Sequence, residues 1–98
     1  MDKNVLLTDI INYIQGTGIN SQNWYVGIAS DPETRVFNDH NVDRANGNWI
    51  YGPAQNSDSA REIEDYIITN YKTKGDTGGG DNSTNYVYAY RITASTRE

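Results

Sequence analysis

A glutamate on an apolar stripe is the first residue of this chain whose position asks for a chemical explanation. Ala60, Ile67, Ile68 and Tyr71 recur at i, i+7, i+8 and i+11, and Glu64 falls at i+4 of that stripe. At 3.6 residues per turn Glu64 lies on or beside the buried face, whereas Glu62 and Asp65 point away. Burying a lone carboxylate is costly, so it needs a cation, a metal or hydrogen bonds. A boundary glutamate paired with Arg or Lys meets that need without any function. The second group is Tyr25-Val26-Gly27 with Arg35. In an extended segment Tyr25 shares a face with Gly27 and Ala29, whose small side chains leave a hollow for a phenol. Arg35 follows about one turn into the next helix, and its planar fork suits phosphate oxygens. The plainer account is that Gly27 marks close helix packing and Arg35 pairs with Asp39 four residues on.

The elements that must position these residues follow from periodicity. Leu6, Leu7, Ile10, Ile11 and Ile14 predict an amphipathic helix over residues 4–15, stopped by Gly16 and Gly18. Residues 23–29 alternate as a strand, with Trp24, Val26 and Ile28 on one face. Ser30-Asp31-Pro32-Glu33 reads as a helix start, and that helix carries Arg35, Val36, Phe37 and His40. Asn46-Gly47 signals a turn before a short strand, 48–51, and Gly52-Pro53 ends it. Ser59-Ala60-Arg61-Glu62 has capping-box spacing and opens a helix over 59–71. Residues 72–85 are rich in Gly, Asp and Asn and read as a long loop, functional or mobile. Residues 86–93 alternate as the last strand, with Tyr86, Tyr88, Tyr90 and Ile92 facing one way. The expected class is α+β: a three-stranded, mainly antiparallel sheet flanked by three helices, in the order α-β-α-β-α-β.

Ninety-eight residues make one domain, spanning 1–98. With 36% hydrophobic residues, eight tyrosines and two tryptophans must supply much of the core area. Zero cysteines exclude disulfides, thiolate metal sites and cysteine nucleophiles. A single histidine, His40, excludes a multi-histidine metal site. No apolar run reaches membrane-spanning length, and the polar start does not read as a signal peptide, so the expected location is cytoplasmic. Thirteen acids against eight Lys and Arg give a net charge of -5, which repels polyanions at long range and disfavours nucleic acid as a partner. A protein partner fits that charge better. Gly78-Gly79-Gly80 lacks the Lys-Ser/Thr pair of a phosphate loop and reads as a flexible turn or lid. Asp76 and Asp81 flank it as candidate metal ligands or plain solvated acids.

Together, Tyr25-Val26-Gly27, seven intervening residues and Arg35 on a helix resemble the second half of the GIY-YIG nuclease motif. In that family the YIG strand leads into a helix whose arginine lies at this distance, followed by a short strand and a helix with a metal-binding glutamate. The strand at Trp49 and the helix with Ala60-Arg61-Glu62-Ile63-Glu64 fall in that order. The family often carries a small residue four positions before its glutamate, and Ala60 thereby selects Glu64 over Glu62. The match covers residues 24–71. No GIY-like strand precedes Tyr25. The final strand looks like the missing one moved to the other end, as in a circular permutation, with the helix at 4–15 as an addition. Tyr88 then stands for the GIY tyrosine, with Tyr86 and Tyr90 as alternatives on the same face. His40 lies one residue further from the arginine than the family's usual histidine, and Asn82 is the candidate for its late asparagine.

The resemblance implies phosphodiester hydrolysis by a Mg²⁺-dependent endonuclease. Glu64 would hold the metal, and Tyr88 or Tyr25 would take the proton from the attacking water. Arg35 would lower the phenol's pKa or clamp the phosphate, with His40 as the family's histidine. Arg61, Lys72 and Lys74 would contact phosphates. The same resemblance has a second reading, favoured by the acidic balance and the displaced His40: a catalytically inactive relative that binds a protein or ligand through the same hollow.

Overall fold

Three apolar residues spaced four apart, Leu6, Ile10 and Ile14, form one buried stripe and account for the first helix, α1 (Lys3–Gly16). The chain leaves it through Gly18, which takes a left-handed φ of +73° and returns its amide to the Gln15 carbonyl at 3.2 Å. A computed structural model describes residues 3–75 and 84–97. The glycine run, Asp76, Asp81 and Asn82 lie outside the described residues. After α1 come β1 (Trp24–Ala29), a π-helical turn (Thr34–Asp39), β2 (Trp49–Pro53), α2 (Ser57–Tyr71), β3 (Lys74–Gly75) and β4 (Tyr86–Arg91). The radius of gyration is 12.0 Å, close to the roughly 13 Å of a compact 100-residue domain. No helix among the described residues is long and apolar enough to cross a membrane.

The sheet has four strands in the order β2-β4-β1-β3, not the three expected. β4 runs antiparallel between β1 and β2, its register fixed by Gly27↔Tyr88 on one side and Tyr51↔Tyr88 on the other. β3 adds a parallel pairing, Tyr25↔Lys74 and Val26↔Gly75, so the sheet is mixed. This fourth strand sits inside the stretch whose composition reads as loop. It is two residues long and held by backbone pairing, so no side-chain alternation announces it. Gly75 marks the contact: a Cβ there would lie 2.5 Å from both the Val26 carbonyl and the Ile68 side chain.

The helical expectations also need correction. The segment after Asp31 forms one wide turn rather than a third α-helix. Asp31 accepts from the Thr34 amide at 3.2 Å and the Thr34 hydroxyl at 2.8 Å, as a cap should. The turn then closes with a five-residue step, from the His40 amide to the Arg35 carbonyl at 2.9 Å. Only Val36 is buried along it, so no apolar stripe extends the helix. In α2 the cap is Asn56, whose side chain accepts from the Ser59 amide at 2.8 Å, and the helix starts two residues before Ser59.

Strand alternation divides the core in two. Trp24, Val26, Ile28, Val87 and Ala89 lie under α1 and α2, packed with Leu6, Ile10, Ile63 and Ile67. The other set is aromatic: Tyr88 and Tyr90 are buried with Val36 and Val42, and Tyr25, Phe37, Trp49 and Tyr51 pack around them. Phe37 and Trp49 meet edge-to-face at 4.9 Å, and the Arg44 guanidinium caps Phe37 at 3.8 Å.

Candidate functional site

The aromatic face gathers four of the candidate residues, Tyr25, Arg35, His40 and Tyr88, around Gly27. Gly27 lies directly opposite Tyr88, and the phenol ring covers the glycine: a Cβ on Gly27 would meet the Tyr88 hydroxyl at 2.3 Å. Tyr25 lies opposite Tyr90, with its ring stacked on that of Tyr90 at 5.3 Å and 7°. The π-helical turn delivers Arg35 at its start and His40 at its end.

His40 is 5% exposed and joins three partners. Its Nδ1 lies 2.5 Å from the Arg97 carbonyl, which can only accept, so in the neutral ring Nδ1 carries the proton. The other nitrogen, Nε2, then accepts from the Tyr88 hydroxyl at 2.9 Å. Tyr90 lies 2.9 Å from Nδ1 and donates to the same Arg97 carbonyl at 3.2 Å. The Arg97 amide returns to the His40 carbonyl at 2.7 Å. The C-terminal segment is thus fastened to the site through one imidazole.

Burial pushes the Tyr88 phenol up to about 12, the Tyr25 charge adds to this, and hydrogen bonding and charge from Arg35 oppose it; the Glu64 carboxylate acts on it as well. For Arg35, partial burial works downward, but the Tyr88 hydrogen bond and the charges of Tyr88, Asp39 and Tyr25 carry its pKa upward. Arg35 also pairs with Asp39 at 3.7 Å. Beside it opens a cleft of about 280 Å³ lined by Ile28, Ala29, Ser30, Asp31, Thr34, Arg35 and Thr84.

Tyr25, Arg35, His40 and Tyr88 therefore share one polar cluster, and Glu64 is near enough to be felt by Tyr88. Arg61 pairs with Asp58 on its own helix at 3.5 Å, Lys72 is the left-handed cap of α2, and Lys74 lies in β3. The cleft residues Ser30, Asp31, Thr34 and Thr84 escaped the sequence reading. Ser30-Asp31 at a strand end is the available signal, and by sequence it reads as a helix cap.

Two features overturn the metal-dependent nuclease expectation. Among the described residues no three His, Cys, Asp or Glu side chains gather to hold a metal ion. Glu64 is 2% exposed, enclosed among core residues, whereas Mg²⁺ keeps an octahedral shell with several waters. Its assignment as a Mg²⁺ ligand falls, and with it the cofactor, the endonuclease and the hydrolase. The phenol chemistry agrees, because a group with its pKa near 12 is a poor proton acceptor at neutral pH.

The raised phenol has a measurable consequence. The unfolded chain releases this proton near pH 10, before the folded one does, so the stabilisation is complete below pH 10 and fades up to about 12. Between pH 10 and 11 the loss attributable to Tyr88 should be about 1 kcal/mol. Urea unfolding of the native protein and of Tyr88→Phe across that range isolates it. Parallel pH dependences for the two would refute the assignment.

In comparisons with family models, curated proteins and solved structures, no match to this chain was found.

Proposed function

We propose that the chain is a binding module on a GIY-YIG-like frame without catalysis, and that the cleft beside Arg35 receives a small ligand. Several placements support this. The order Tyr25, Gly27, Arg35 follows the motif, β4 lies beside β1 as a permuted strand would, and four of the motif's side-chain types share one cluster. The observation that carries the binding reading is Arg35 itself. It pairs with Asp39 at 3.7 Å, is half-exposed, feels the Tyr88 phenol, and is set in the wall of a preformed cleft. Such a guanidinium presents a fixed fork to an anionic group, while the neighbouring phenol stays protonated and performs no proton transfer. The net charge of -5 weighs against a polyanion in that place.

Amide NMR titration with 3-phenylpropionate, inorganic phosphate and L-phenylalanine tests the reading. At least one probe should move the Ala29, Thr34 and Thr84 amides in a saturable way, and Arg35→Gln should weaken it about three- to fivefold with the fold retained. If no probe moves those amides, or if purified protein cleaves DNA or RNA when Mg²⁺ is added, the reading is wrong.

A further inference from the structure

The cleft carries two opposite fixed charges that do not neutralise one another. Asp31 and Arg35 are four residues apart on one turn, joined through the Arg35 amide and the Asp31 carbonyl at 3.2 Å. At that spacing an acid and a base commonly pair. Here each is held elsewhere: both Asp31 carboxylate oxygens are bound to Thr34, and Arg35 is bound to Asp39 and Tyr88. No ion pair joins the two. Each Asp31 oxygen keeps a further lone pair, and the guanidinium has more donors than Asp39 and Tyr88 occupy. The Thr34 bonds hold the Asp31 carboxyl below the usual carboxylate range, so both charges persist at neutral pH.

The shape of the cleft restricts its occupant further. Its volume of about 280 Å³ is below the usual range for a drug-sized molecule. Ser30 and Asp31 also border a second depression lined by Glu33, Tyr51 and Tyr86; the Tyr51 hydroxyl donates to Glu33 at 2.8 Å, and the two phenol rings meet edge-to-face at 6.4 Å. A dianion would face Asp31 at close range, and a simple cation would face Arg35. Only a molecule with one charge of each sign answers both walls.

We infer that the cleft binds a small zwitterion of the α-amino-acid type, its carboxylate on the Arg35 fork, its ammonium on Asp31 and its side chain toward Tyr51 and Tyr86. This rests on the reading of the cleft as a ligand site. Exposed ion pairs are individually weak, so binding belongs in the millimolar range.

The experiment compares L-phenylalanine with 3-phenylpropionate, which lacks the ammonium, and 2-phenylethylamine, which lacks the carboxylate, by amide NMR titration of the native protein. L-Phenylalanine should bind about three- to fivefold more tightly than either. Asp31→Asn, whose amide oxygen can still cap Thr34, should remove the advantage over 3-phenylpropionate; Arg35→Gln should remove the advantage over 2-phenylethylamine. Equal affinities for the zwitterion and a single-charge analogue, or preference for inorganic phosphate, would overturn this inference and leave the ligand site standing. Absence of any saturable shift from all four probes would overturn both.

Discussion

Gly27→Ala should lower the unfolding free energy by about 3 kcal/mol, although alanine is the better strand residue. Gly27 lies in the middle of β1 with no positive φ, so its backbone does not require glycine. Local preference alone would therefore predict a small gain from alanine. The opposing effect is steric. A new Cβ would sit 2.3 Å from the Tyr88 hydroxyl and 2.5 Å from Cζ, well inside contact distance. The ring has nowhere to retreat, because it is 1% exposed and its hydroxyl is fixed to His40. Denaturant unfolding measures the loss. In a Tyr88→Ala background the same substitution should cost little, since the obstructing ring is gone. A neutral Gly27→Ala in the native background would mean that Tyr88 does not lie over Gly27.

That contact also separates what was legible in the sequence from what was not. The alternation of Trp24, Val26 and Ile28 against Tyr25, Gly27 and Ala29 can be read directly, because each side chain's face follows from strand period. The burial of Glu64 on the stripe of α2 follows from helix period in the same way. What escaped depends on partners distant in sequence. β3 exists because Lys74 and Gly75 meet the backbone of Tyr25 and Val26, and two residues carry no period. The turn from Thr34 to Asp39 looks α-helical from its cap. Its π form accompanies the anchoring of His40 by Tyr88, 48 residues later, and by Arg97, 57 residues later. The start of α2 shifted because Asn56 outcompeted Ser59 for the cap, both being good cap residues.

The same reasoning explains why the nuclease expectation failed at the phenol's chemistry as well as at the enclosed Glu64. Side-chain types and their spacing were read from the chain. Protonation was not, because it depends on burial that only the folded face creates. Tyr88 needs a lowered pKa to serve as a base, and the enclosure that holds it in place raises the pKa instead. A site that fixes Arg35 while keeping its phenol neutral is suited to recognition.

His40→Leu should cost about 3–4 kcal/mol and loosen the C-terminal segment as well. The imidazole bonds Tyr88 at 2.9 Å, Tyr90 at 2.9 Å and the Arg97 carbonyl at 2.5 Å, and it packs against the Tyr25 and Tyr90 rings at 4.9 and 4.7 Å. Leucine keeps much of the volume but leaves the Tyr88 hydroxyl without its imidazole acceptor and takes a donor from the Arg97 carbonyl. Two readouts distinguish this from simple repacking. First, hydrogen exchange at the Arg97 amide, which bonds the His40 carbonyl at 2.7 Å, should accelerate beyond the rate set by global unfolding. Second, a cycle with Tyr88→Phe should show coupling of about 1 kcal/mol or more, because the phenol no longer needs the imidazole once its hydroxyl is removed. Additive losses, with Arg97 exchange unchanged relative to global stability, would show that His40 does not join Tyr88 to the C-terminal segment.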